Sequence, residues 1–262
     1  MHTFRILLRL WRLNLQSAMA YRTSFLIQTS FMILNDGMML LIWYFVFRQF
    51  GDIRGMDFGN YLTLYSVTLF SFCTVQILFA GYGNIATLAM NGGLDAHLLL
   101  PGSPLLRILA GRMMVSALGD LVMGFAVLAL VPGLTWLLAA KILLTSVLGG
   151  FVMLGFYVAT HSLVFWIGWN GGLHRAVFEA VLAPNLYPPG IFEKTWLKAV
   201  LVSVVPAWFV AQAPYLLSVG EWSWPEFGLL VAMAAFWLGL GAFVFRRGLA
   251  RYESGGGMTV NG

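Results

Sequence analysis

Residues 136–166 read WLLAAKILLTSVLGGFVMLGFYVATHSLVFW, and from Ile142 to Thr160 no acidic or basic side chain interrupts them. A membrane-crossing helix needs about 20 predominantly apolar residues, whereas a soluble surface helix keeps a charged face along its length. This run has no such face, so its surroundings must be apolar on every side. The whole chain shares the bias. Of its 262 residues 60% are hydrophobic and 10% charged, and the mean hydropathy is +0.84. Ordinary soluble domains carry about 25% charged residues. A water-soluble enzyme is therefore excluded, and so is disorder, which needs low hydrophobicity and high charge. Lipid is the solvent, and the length leaves room for about six to eight spans.

Working outward from 136–166, the apolar runs predict an all-α integral membrane protein with six transmembrane helices in a single domain, 1–262. Ser24–Phe47 forms the first span and Tyr61–Ala80 the second. Met113–Val131 is the third, stopped by Pro132-Gly133, and Trp136–Trp166 the fourth. A shorter run from Ala176 to Pro188-Pro189 is the fifth, and Pro225–Phe245 is the sixth, stopped by Arg246, Arg247 and Arg251. Residues 81–112 differ in character. Gly92, Gly93, Pro101, Gly102 and Pro104 punctuate them and Asp95, His97, Arg107 and Arg112 charge them, which predicts short helices outside the bilayer. Within 190–222 the apolar stretch Trp196–Val219 is broken by Pro206 and Pro214. It predicts a re-entrant pair of half-length helices on the extracellular side, between the fifth and sixth spans.

Residues 1–22 place Arg5, Arg9, Arg12 and Gln16 on one helical face and Phe4, Leu7, Leu8, Trp11 and Leu15 on the other. This basic amphipathic pattern suits a helix lying in the membrane surface. It lacks the unbroken apolar core of a cleavable signal. A soluble helix packed on a partner protein is the competing reading.

Charge sets the orientation. With an inside N-terminus and six spans, Arg5, Arg9, Arg12, Arg22, Arg107, Arg112, Arg175, Arg246, Arg247 and Arg251 lie inside. Arg48, Arg54, Lys141, Lys194 and Lys198 lie outside, so ten of the fifteen basic residues obey the positive-inside rule. Both termini are then cytoplasmic. A seventh span through Trp196–Val219 would put the arginine-rich end outside, so charge favours the re-entrant reading. The net charge of +5 and pI near 9.6 do not signal nucleic acid, because the basic residues sit at the ends of apolar runs.

Several chemistries are missing. The four histidines are scattered without a neighbouring Glu, so no H-E-x-x-H zinc site forms, and no G-x-S-x-G elbow is present. Cys73 is the single cysteine, which excludes a disulfide within the chain and a thiolate metal site. Ala117-Leu118-Gly119-Asp120 approaches an intramembrane aspartyl-protease signature but has Ala117 where a glycine is needed. None of Lys141, Lys194 and Lys198 follows a glycine, so no phosphate-cradling P-loop exists. Enzymatic chemistry is not expected of this chain, and no cofactor or metal on it. Fuel for energised work must enter from another polypeptide.

Asp36 and Asp120 fall near the centres of the first and third spans, and Glu179 in the fifth. A central charge costs about 2.5–3.5 kcal/mol on insertion scales, so each should face protein or a water-filled path. Together with Asn35 they are candidates for a translocation path. The competing reading is a structural hydrogen bond between helices, which the apolar and glycine neighbours of Asp120 favour.

Three stretches resemble the permeases of type-2 ABC exporters, in the compact six-span subfamily often encoded as a pair. Gly92-Gly93-Leu94-Asp95 followed by Leu98-Leu99-Leu100-Pro101-Gly102-Ser103-Pro104-Leu105-Leu106-Arg107 resembles the cytoplasmic loop of that class. Tyr187-Pro188-Pro189 with Val205-Pro206-Ala207-Trp208-Phe209 and Pro214 is similar to its fifth span and returning extracellular helices. Arg247-Gly248-Leu249-Ala250-Arg251-Tyr252-Glu253-Ser254 is similar to its C-terminal ending. Gly93, where the class is more polar, and the added Ser-Gly-Gly-Gly tail depart from the pattern.

The resemblance implies a membrane subunit of an ATP-driven exporter in the bacterial cytoplasmic membrane. It would pair with a second permease chain, identical or paralogous, and bind an ATP-binding cassette ATPase that holds the ATP and Mg. Leu94, Asp95, Leu98, Pro101 and Arg107 would form the coupling region, and the helix of Arg5, Arg9 and Arg12 would lie on the inner leaflet against the same ATPase. An ion-gradient-driven secondary transporter or channel is the alternative, attracted by Asp36, Asp120 and Glu179. A membrane scaffold without transport is a third. The substrate stays open among drug-like cations, lipids and peptides.

Overall fold

A computed structural model describes residues 2–100, 102–168, 171–192 and 196–252. Its elements are helical: α1 (His2–Ala20), α2 (Arg22–Phe50), α3 (Phe58–Leu78), α4 (Ile85–Met90), α5 (Leu94–Leu98), α6 (Pro104–Ala110), α7 (Ala117–Ala129), α8 (Trp136–Ser162), α9 (Val164–Ile167), α10 (Gly171–Asn185), α11 (Trp196–Ser203), α12 (Ala213–Val219) and α13 (Trp224–Leu249). By length and composition α2, α3, α8 with α9, and α13 can each cross a bilayer. The helix α7 has 13 residues and α10 has 15. The chain is a multi-pass membrane protein, with four such helices among the described residues, or five if the bent stretch described below crosses once.

The helix α3 is the hub. In its most apolar window 83% of residues are buried, against 17% in α2 and 22% in α13, which show most of their surface outward. Its N-terminus is capped by Asp57, whose carboxylate accepts from the Asn60 N–H at 2.7 Å. Along α8 and α13 the packing depends on small residues. A Cβ at Gly155 would overlap the backbone of Trp237 and Leu238, and one at Gly241 would sit 2.6 Å from the Gly155 carbonyl. Helices in lipid gain little from hydrophobic exclusion, so this close backbone approach supplies their contact energy.

Side chains add hydrogen bonds to carbonyls where helices cross and where they break, as a low-dielectric setting favours. The Ser71 hydroxyl, on α3, lies within hydrogen-bonding distance of the carbonyls of Ser146 (3.0 Å) and Val210 (2.9 Å). The Gln212 side chain, 1% exposed, donates to the Pro184 and Tyr187 carbonyls at 2.9 and 3.0 Å, closing the end of α10 that Pro184 disturbs.

The third expected span starts later than Met113. The Met114 N–H bonds to the Gln76 carbonyl at 2.9 Å, so residues before Ala117 turn against the end of α3 instead of continuing a helix. The fourth breaks at Leu163, and the fifth begins at Gly171, upstream of Ala176. In the stretch 196–219, α11 and the segment 208–219 meet at 79°, with Pro206 at the break; that angle fits a broken span or a re-entrant pair.

The molecule has two polar ends. At one, Gly59 packs on Pro132 and Gly190 on Arg54. At the other gather α1, α4–α6 and Tyr252.

Gly155→Leu collides with backbone that no rotamer change relieves, so a loss of about 3 kcal/mol or more is expected. Gly239→Leu, on the same α13 but with nothing within 4 Å, should be near neutral. Heat challenge followed by size-exclusion chromatography of the detergent-solubilised protein reads the difference; equal loss in both variants contradicts this packing.

Candidate functional site

Two places carry chemistry: the polar end built from α1 and α4–α6, and a cavity among α2, α3, α7 and α10.

At the polar end, α5 is a short helix anchored from inside and pinned from outside. Leu94 is fully buried in the core, so its part is to hold the helix down. The Arg107 guanidinium, from α6, donates to the carbonyls of His97 (2.9 Å) and Leu100 (3.3 Å), taking up the open C-terminal end of α5. Burial, and then the Arg107 charge, lower the His97 pKa below its ordinary value. Ser103 caps α6 by accepting from the Leu106 N–H at 3.4 Å. What projects outward is apolar: Leu98, Leu99 and Leu100 are 41%, 86% and 52% exposed. Pro101 lies outside the described residues. Asp95 is half-buried beside Tyr252, where burial and then the Asp95 side chain hold the Tyr252 phenol above its ordinary pKa.

The helix α1 is fastened to this end. The Trp11 indole N–H donates to the Leu78 carbonyl at 2.7 Å and the Asn14 amide to the Ala110 carbonyl at 2.9 Å, so α1 covers the final carbonyls of both α3 and α6. Arg5, Arg9 and Arg12 point away from it and are exposed. Arg112 donates to the Asn84 side chain at 2.9 Å. One rigid unit therefore joins the exposed leucines, the amphipathic helix and the end of the hub helix. The hydrogen bonds of Trp11, read as part of the apolar face, and of Asn14 were not legible in the sequence, since their partners lie 67 and 96 residues away. Leu99 and Leu100 could have been singled out as an apolar triplet beside a Pro-Gly turn.

The cavity holds about 420 Å³ and brings Asn35, Asp36 and Asp120 together. Asp36 and Asp120 are 4% and 7% exposed, and their carboxyl groups lie against one another. The pairing follows from close approach of α2 and α7: a Cβ on Gly119 would stand 2.6 Å from the Thr29 carbonyl. Tyr65 donates its hydroxyl to the Asp36 backbone carbonyl at 3.1 Å. From α10 the lining residues are Phe178 and Leu182, while Glu179 is exposed and stays outside the cavity. Among the described residues no group of three or more His, Cys, Asp or Glu could hold a metal ion.

The family described as ABC-2 family transporter protein matches residues 33–256, which take in the cavity, the short helices and the bent stretch. No curated protein and no solved structure matches the chain.

Arg107→Lys keeps the charge but loses the two-carbonyl fork. Hydrogen exchange of amides 97–100 should quicken by roughly tenfold, about 1.4 kcal/mol of local stability, while the global melting temperature moves little. Unchanged exchange would contradict the pin.

Proposed function

The chain belongs to the ABC-2 family of transporter proteins and is the membrane subunit of an ABC transporter, and from that premise we propose that it serves an ATP-driven exporter. A separate ATP-binding cassette ATPase engages the α5 tip, and a second permease chain completes the translocation path. The observation that supports this best is the exposed Leu98–Leu100 tip on a helix immobilised by Leu94 and Arg107, in a chain lacking any phosphate-gripping loop.

The mechanism is a lever. Nucleotide-driven closure of the ATPase pair displaces the α5 tip. Because Arg107 ties α5 to α6, and α1 ties α6 to the end of α3, the push reaches the hub helix, which lines the cavity with Tyr65, Thr68 and Gln76. A ligand shifts a conformational equilibrium only by its differential affinity for the two states. A tip that flexed by itself would absorb the stroke before the spans moved.

In this reading the end bearing α1 and α5 is cytoplasmic, both termini with it, in a bacterial inner membrane. The helices α2, α3, α7, α8, α10 and α13 are the six spans, and 196–219 is the re-entrant pair on the outer side. Asn35, Asp36 and Asp120 mark the path. Glu179 stands apart from them in the monomer, and a place on the path for it would come through the paired assembly.

Coexpression with ATP-binding cassette ATPases from the same genome tests the proposal. The two should copurify, and Leu99→Asp should lower copurification and stimulated hydrolysis at least tenfold, while Leu99→Met retains both. Transport by the chain alone in liposomes, driven by an ion gradient and indifferent to ATP, would instead establish the secondary-transporter reading.

A further inference from the structure

We infer that the cavity among α2, α3, α7 and α10 binds a lipophilic organic cation, with Asp36 and Asp120 as its counter-charges. Two features of the cavity carry this. Asp36 and Asp120 hydrogen-bond to each other, which leaves Asp36 Oδ2 and Asp120 Oδ1 without a partner, although both side chains are more than nine-tenths buried and line the space. Among the described residues no lysine or arginine lines it. The neighbouring polar groups are largely committed elsewhere. Tyr65 gives its hydroxyl to the Asp36 carbonyl, Thr68 lies within hydrogen-bonding distance of the Leu64 and Asn185 carbonyls, and Gln76 accepts from Tyr82. The Asn35 side chain hydrogen-bonds to Asp36 and offsets part of its burial, yet Asp36 Oδ2 stays without a partner. A buried polar group left without a partner is costly, and a buried charge more so. A positive ligand in the cavity, set against the two unpartnered oxygens of this pair, meets both demands at once.

The rest of the wall selects the kind of cation. A hard divalent ion takes six or more oxygen ligands, and this wall is mostly methionine, leucine and aromatic carbon. Met32, Met38 and Met39 give a deformable surface suited to varied shapes. Phe72 and Phe178, edge to face at 6.1 Å, offer ring surface to a cation. A space of about 420 Å³ lies in the range of drug-sized sites. Its mouth runs along the outward face of α2, where Met38 and Ile42 are 59% and 54% exposed, so a ligand dissolved in the bilayer can enter sideways.

Only the naming of this ligand as cargo rests on the exporter reading; binding itself needs neither ATP nor ATPase. The test is equilibrium binding of radiolabelled tetraphenylphosphonium to the purified chain in nanodiscs, with tetraphenylborate as the anion of matching shape. Saturable binding of the cation alone is expected. Asp36→Asn and Asp120→Asn should each weaken it tenfold or more, and Glu226→Gln, at the far end of the molecule, should leave it unchanged. Met38→Trp narrows the mouth without touching the acids and should weaken binding at least threefold at unchanged melting temperature, which keeps the test valid if the Asn variants misfold. Equal binding of cation and anion, or folded Asn variants that bind the cation undiminished, overturns the inference and leaves the acids a structural pair. Leu99→Asp separates the two readings, since it should abolish ATPase coupling and leave cation binding intact.

Discussion

Inside a bilayer no water stands ready to satisfy a polar group, and this constraint orders the molecule. Continuous helices meet it for the backbone, so the spans need only pack, and they do so by glycine against backbone at Gly155 and Gly241. Each interruption must then be closed by a side chain. Ser71 reaches the carbonyl of Val210, and Gln212 those of Pro184 and Tyr187. The places where closure is incomplete are correspondingly informative. The acids of α2 and α7 are the polar groups lining the cavity that keep buried oxygens without partners.

The same constraint joins the cavity to the outer machinery. The helix α3 is buried around its circumference, so it cannot move without its neighbours. At its end the Leu78 carbonyl is taken by Trp11, and α1 in turn holds α6, which pins α5. The resulting chain of contacts runs from an exposed leucine tip to the residues facing Asp36 and Asp120. Its links are directional hydrogen bonds at helix ends, where carbonyls are free to accept them.

Long apolar runs made the principal helices legible. Tyr61–Ala80 corresponds to Phe58–Leu78 and Pro225–Phe245 to Trp224–Leu249, because composition alone fixes such segments. Boundaries set by distant partners were not legible. Met113–Ser116 look apolar enough to begin a span, yet the Met114 amide is claimed by Gln76, and α10 starts at Gly171, upstream of the apolar run at Ala176. In the site, Asn35, Asp36 and Asp120 stood out because charge in an apolar run is conspicuous. That Asp36 faces Asp120 while Glu179 faces outward depends on how α2, α7 and α10 are rotated, which periodicity in short, uniformly apolar helices does not encode. Leu94 and Leu98 are alike as letters, and the fold buries one and exposes the other.

The central claim is that the α5 tip faces the compartment where ATP is made. Cys73 is buried and silent, so single cysteines can report sidedness directly. With a membrane-impermeant maleimide applied to intact cells, Gly133→Cys, at the opposite end of α7, should label at once, and Leu99→Cys should label only after permeabilisation. Labelling of Leu99→Cys in intact cells would place the tip on the wrong side of the membrane for any ATPase to push.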